Sequence, residues 1–159
     1  MLSKTSELAV QTLIFLCLAD DHDYIPPARI ADAIGASPSY TTKVTSLLVR
    51  AGILKAQRGA RGGVQLGRNP GAITLLDTVE ACQGKILGDY CAEYDDLEVV
   101  CSYHRAMHEL HGAITSVLAR WTLADLVKQP CAHKSVLDQV DCKMKWSARL
   151  NQLNSAQDK

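Results

Sequence analysis

The chain has 159 residues, with 17 Lys and Arg against 17 Asp and Glu, so its formal net charge is zero. That length suits one domain; no apolar stretch reaches the roughly 18 residues a membrane span needs, and the N-terminus lacks a basic region leading to a small-residue cleavage site. The six cysteines fall short of a disulfide scaffold, so thiols or ligands in a cytoplasmic, reducing setting are expected, and membrane, secreted, collagen-like and disordered classes are set aside. With 47% hydrophobic but only 5% aromatic residues, the core is expected to be Leu, Val, Ile and Ala, which suits helices packed on helices.

Between Ser3 and Leu18 the apolar residues Leu8, Leu13, Ile14, Phe15 and Leu16 crowd together without Gly or Pro, predicting a first, largely buried helix capped by Ser3 or Ser6. Asp20 to Asp23 reads as a turn, and Pro26-Pro27 opens a short second helix ending near Gly35. Ser37-Pro38-Ser39 supplies an N-cap and a first-turn proline for a third helix, with Val44, Leu47, Leu48 and Ala51 at helical spacing up to Gly52. Two helices joined at Gly35-Ala36 have the spacing of a helix-turn-helix. Its second member offers Ser37, Ser39, Tyr40, Thr41, Thr42 and Lys43 where base edges would lie.

Two strand-like runs follow, Ile53 to Gln57 and Val64 to Leu66, separated by Arg58-Gly59-Ala60-Arg61-Gly62-Gly63. This is a β-hairpin wing with Arg58 and Arg61 at its tip, suited to a phosphate backbone or a narrow minor groove. Charge supports that reading. From Ala33 to Leu76 there is no Asp or Glu, while Lys43, Arg50, Lys55, Arg58, Arg61 and Arg68 all lie there, and from Asp77 to His111 the balance reverses. A polyanion would be drawn to the first block by counterion release, whatever the net charge of the chain.

After Pro70-Gly71 a helix is predicted from about Ile73 to Cys82, then an acidic, structureless stretch from Gly84 to Val100. Tyr103, Met107, Leu110, Ile114, Val117 and Trp121 alternate steps of four and three, a narrow heptad seam. In so small a protein such a seam points to a dimer interface, the alternative being packing against the first helix of the same chain. Thr122 to Asp125 has capping-box spacing with Asp in place of Glu. Beyond Pro130 the tail turns polar, and Asn151 to Lys159 are expected to be disordered. The fold class expected is mainly α: a winged helix-turn-helix over 1–82 with a two-stranded wing, a cysteine-containing loop over 83–101, a long dimerisation helix and a short one over 102–128, and a polar tail over 129–159.

The run Ile30-Ala31, Ser37-x-Ser39-Tyr40 through Leu47 to Ala51-Gly52-Ile53, then Arg58-Gly59-x-x-Gly62-Gly63-x-x-Leu66 and Ile73-Thr74-Leu75-x-Asp77, resembles the bacterial IscR/NsrR-type winged-helix regulators. The resemblance runs from about Leu2 to Val127. It implies a homodimeric transcription factor, usually a repressor, binding double-stranded operator DNA. It also implies an iron-sulfur cluster on loop cysteines, whose loss or modification alters operator binding. Ser39, Tyr40 and Lys43 match recognition-helix positions that meet the major groove, and Arg58 matches the wing arginine that enters the minor groove.

Cys91 and Cys101 match the outer two of three loop cysteines usual in cluster-binding members; the middle one is absent. That departure favours 2Fe-2S over 4Fe-4S, with two non-cysteine ligands. Glu7 matches an acidic ligand that some relatives supply from the partner subunit. Gln11 stands where another relative has a ligand histidine. His104, three residues after Cys101, matches a ligand position in an iron-sulfur member. The ligand set implied is therefore Cys91, Cys101, Glu7 from the other subunit and His104, sensing redox state, iron or nitric oxide. The alternative is a cluster-free thiol- or ligand-responsive repressor of the same fold. Zinc on Cys101, His104, His108 and His111 is a minor reading, since one straight helix cannot wrap four ligands around an ion. Cys17 and Cys82 read as small core side chains, and Cys131 and Cys142 lie in the tail. No nucleophile elbow, phosphate loop or paired zinc motif is present, so an enzyme is not expected.

Overall fold

The computed structural model describes residues 2–19, 23–59, 61–86, 97–148 and 150. Its first helix, α1 (Lys4–Leu18), touches the second, third, fourth and sixth helices. That explains why its apolar residues crowd rather than form a stripe: a helix covered on several sides is apolar on several sides. Leu8, Ala9, Leu13, Ile14, Phe15 and Leu16 are all buried. Ser3 is the N-cap, its Oγ accepting from Ser6 N–H at 3.1 Å.

Helix α2 (Pro27–Ile34) ends at Gly35, whose φ of 71° puts it in the left-handed region where a side chain would be strained. The chain then reverses into α3 (Pro38–Arg50). Ser37 occupies the N-cap position, but its hydroxyl meets Ser39 Oγ at 3.1 Å rather than capping the helix. Thr41, Val44, Thr45 and Leu48 form the buried stripe of α3.

The wing is an antiparallel pair, β1 (Leu54–Gln57) and β2 (Gly63–Leu66), with Leu54 opposite Leu66 and Gln57 opposite Gly63. Ile25 adds a further rung, exchanging two 2.9 Å backbone hydrogen bonds with Val64. This rung passes so close that a Cβ on Gly63 would run into the Ile25 carbonyl. Glycine here is therefore a packing requirement, with the wing held against the segment that leads into α2.

A 3-10 turn at Pro70–Ala72 leads to α4 (Leu75–Gln83), later followed by α5 (Ser102–Arg120) and α6 (Leu123–Lys128). Helices α4 and α6 both start from capping boxes. Thr74 Oγ1 accepts from Asp77 N–H at 3.0 Å while Asp77 Oδ2 accepts from Thr74 N–H at 3.1 Å. In α6, Thr122 and Asp125 do the same at 3.2 Å each, so Asp does serve in place of Glu. The two N-termini are stitched together: Leu75 N–H donates to Trp121 O (2.9 Å) and Leu123 N–H to Ile73 O (2.8 Å).

The mainly α winged helix-turn-helix expected from the sequence is the fold observed: six α-helices and one two-stranded sheet among the described residues. The tail departs from expectation. Read as polar, residues 131–150 instead bring Met144, Trp146 and Leu150 against the core, with Trp146 6.1 Å from the Phe15 ring. The expectation of disorder over 151–159 lies outside the described residues.

Candidate nucleic-acid interface and sensor site

Burying Thr41 and Val44 turns the opposite side of α3 to solvent, and Ser37, Ser39, Thr42, Lys43, Ser46 and Arg50 are exposed there. Between this face and the wing runs an open cleft of about 540 Å³, lined by Thr42, Ser46, Arg50, Gln57, Gly59 and Gly62. Arg58 and Arg61 stand exposed beyond it at the wing tip, and Lys55 is exposed on β1. Among the described residues, no ion pair engages Lys43, Arg50, Lys55, Arg58 or Arg61.

Two residues expected at this face do different work. Thr41 is fully buried and its Oγ1 donates to Ser37 O at 3.0 Å, so it is withdrawn from the contact set. The reason is periodicity: Thr41 lies three residues before Val44 and seven before Leu48, on the core stripe. Tyr40 is half-buried against the core, its hydroxyl 2.7 Å from Thr5 Oγ1 at the start of α1. It ties α3 to α1. Arg68, counted in the basic block, caps the end of α3, donating from Nη2 to Ala51 O (2.8 Å) and from Nε to Gly52 O (3.1 Å). Asp77 lies 3.7 Å away, so Arg68 is an internal staple and not a free cation. The sequence reading passed over Ser46, Arg50 and Gln57 as contacts. For the first two the pattern was available, since Thr42, Ser46 and Arg50 recur at i, i+4 and i+8 on one face.

The residues expected to ligate a cluster are more scattered. Cys101 is the N-cap of α5 with an exposed side chain, a soft donor open to a metal or oxidant. His104, one turn on, is only 2% exposed, so its imidazole is turned inward. Glu7, in the first turn of α1, accepts from Lys143 Nζ at 2.7 Å. Cys91 lies outside the described residues. Among the described residues, no group of three or more His, Cys, Asp or Glu is placed to hold a metal ion. That disfavours the helical zinc set, and among the expected ligands that the structure describes Cys101 is the one thiol, exposed and apart from Glu7 and His104 as a donor group. Burial pushes the half-buried Cys82 thiol up to about 11, keeping it a neutral thiol.

Along α5 the seam residues Tyr103 (66%), Val117 (47%) and Trp121 (45%) stay exposed, so α1 of the same chain does not cover them. Beside them is an apolar groove of about 840 Å³, lined by Leu2, Ile86, Leu110, Ala113, Ile114, Val117 and Leu118 among others.

A helix-turn-helix followed by a basic wing is the architecture of a DNA-binding transcription regulator. Residues 2–129 match the Rrf2 family, described as iron-dependent transcriptional regulators, and the chain belongs to that family. It is 31% identical over 131 residues to protein aau3 of Rhizobium meliloti (strain 1021), covering 80% of this chain and 84% of that protein. Among solved structures it is similar to CymR, the global cysteine regulator of B. subtilis, at 28% identity and a TM-score of 0.65, covering 80% of this chain and 96% of that one. It is also similar to IscR of T. potens at 25% identity and a TM-score of 0.63, covering 80% of this chain and 86% of that one. Among the described residues no helix is long and apolar enough to cross a membrane.

Proposed function

We propose that the chain is a homodimeric repressor whose operator binding is switched by an iron-sulfur cluster, 2Fe-2S rather than 4Fe-4S. The observation that carries the DNA-binding part is the acid-free face of α3 and the wing, where five cations stand exposed beside a cleft. Ser39, Thr42 and Lys43 meet base edges in the major groove, and Arg58 and Arg61 reach the backbone or minor groove. The second subunit seats on the open seam of α5, where Leu110, Val117 and Trp121 gain apolar cover. Two recognition helices then address half-sites about one helical turn apart.

Cys91 and Cys101 would hold the cluster, together with His104 of the same chain, which is buried and would have to turn outward, and Glu7 of the partner subunit. Bound there, the cluster would supply a redox-, iron- or nitric-oxide-sensitive link between subunits. The chain provides the route from that link to DNA. Helix α5 packs on α4, and at the end of α4 Gln83 Oε1 accepts from Ser3 N–H (3.1 Å) and Ser6 Oγ (2.9 Å). One residue away, Thr5 bonds Tyr40 on the recognition helix. A shift of α5 against its partner is thereby passed through α4 and α1 to α3.

The test is anaerobic purification, an absorption spectrum, and iron and sulfide counted per dimer, followed by operator binding with and without the cluster. Bands between about 320 and 460 nm with equal iron and sulfide are expected. A second reading, a cluster-free repressor responding through the Cys101 thiol, is favoured by the lack of three gathered donors among the described residues. Absence of iron and sulfide after reconstitution would select it.

A further inference from the structure

The family match ends at residue 129, but the chain continues and returns over α1 and the end of α2. Successive turns shape this strap, with Val136 N–H on His133 O (3.0 Å), Lys145 N–H on Cys142 O (3.0 Å) and Ser147 N–H on Met144 O (2.9 Å). Those backbone bonds all stay inside the strap. Among the described residues its one polar tie to the winged domain is the ion pair from Lys143 Nζ to Glu7 Oε2, open to solvent and therefore weak. Apolar contact holds it instead. Trp146 packs on the core with its ring 6.1 Å from that of Phe15, and Met144 joins the same cluster. Trp146 and Leu137 also line a gap of about 390 Å³ shared with Asp32, Ile34 and Gly35, the end of α2 and the turn into the recognition helix.

We propose that Trp146 is a positioning residue for sequence-specific DNA binding: it clamps the strap onto α1 and α2 and so fixes the turn from which α3 projects. The inference rests on the reading of α3 as the helix that meets base edges. Gly35 ends α2, and Ser37 and Ser39 follow at the head of α3, so a tilt of α2 moves their hydroxyls directly. Base-edge hydrogen bonds weaken steeply with misalignment, whereas the attraction of exposed cations to phosphates tolerates it. Loss of the clamp therefore removes discrimination and spares sequence-independent binding. A strap serving only as a brace behaves differently, because a smaller folded fraction lowers binding to every duplex by the same factor.

Full-length protein purified anaerobically is used to select a duplex from a random-sequence pool, and affinities for that duplex and for an unrelated one are measured by fluorescence anisotropy. Trp146→Ala should bind the selected duplex several-fold more weakly and the unrelated duplex as the parent does, and Trp146→Phe should recover most of the ratio. Leu137→Asp, which opens the strap from outside the core cluster, should behave like Trp146→Ala and serves where that variant folds poorly. In parallel, trypsin should cut both opened variants faster at Lys143 and Lys145, reporting strap release without DNA. Parent-like discrimination in a variant whose strap is cut faster would overturn the proposal and leave the strap a brace. An equal loss on both duplexes would overturn it as well, since it reports lost fold. Cutting of both variants at the parent rate would show that Trp146 and Leu137 do not hold the strap, with the same consequence. A parent protein that selects no duplex would remove the docking of α3 itself, a failure distinct from the others.

Discussion

The winged helix-turn-helix half of the molecule is closed by its own residues, and the half that carries α5 is not. In the first, Val44, Leu48, Ile53 and Ile73 are fully buried, Arg68 caps the end of α3, and the wing is pinned through Ile25 and Gly63. In the second, Tyr103 and Val117 of α5 face solvent and Cys101 is uncovered. One chain is enough to shape the helix-turn-helix surface, whereas the apolar face of α5 stays uncovered within one chain, and on the proposed reading a second chain covers it.

The comparison breaks most visibly at α5. Leu110→Asp with Val117→Asp should leave the winged domain folded but yield monomers in sedimentation, because the charges fall on the open seam. Operator affinity in a mobility-shift assay should drop by about 10² to 10⁴-fold, the scale of lost bivalency. Leu48→Ala tests the opposite half. It empties a fully buried site on α3 and should cost about 2–5 kcal/mol in urea unfolding while the dimer persists.

Next come the cations, which the sequence presents as equals and the structure separates. Lys43→Ala and Arg58→Ala should each weaken operator binding by about 1–3 kcal/mol, the loss at Lys43 depending on operator sequence, and should flatten the salt dependence. Arg68→Ala should leave the salt slope unchanged and lower thermal stability instead, since it frees the Ala51 and Gly52 carbonyls. A flattened slope in Arg68→Ala would return that residue to the interface.

What was legible in the sequence was local. Gly35 between two helices, the proline after Ser37, Gly59 at the wing tip and the Thr122 to Asp125 spacing each dictate backbone geometry within a few residues, and each element formed where it was read. Thr41 was misjudged although its position on the Val44–Leu48 stripe was there to be counted, because a hydroxyl beside other hydroxyls invites a surface reading. The strap was not legible at all. Trp146 stands among polar neighbours and its partner Phe15 comes from the other end of the chain. The burial of His104 and the capture of Glu7 by Lys143 are likewise long-range facts that no spacing encodes.

The smallest expected effect lies at the junction of the two halves, where Thr122 meets Thr74. The carboxyl of Asp125 is lowered from 3.8 to about 2, first by a hydrogen bond from the Lys128 ammonium and then by hydrogen bonds from Thr122. A carboxyl whose folded value lies below its unfolded one contributes stability above the unfolded value and loses it as protons bind in the folded state. The contribution is therefore complete above about pH 4 and disappears as pH falls toward 2. Because the group is open to water, solvent screens it and the effect is modest. Asp125→Asn should lower stability slightly at neutral pH and flatten the acid limb between those two values, followed by helical circular dichroism. An acid limb unchanged in Asp125→Asn would show that the α6 cap carries no charge-dependent hold, leaving the backbone bonds of Ile73 and Leu75 to join the halves.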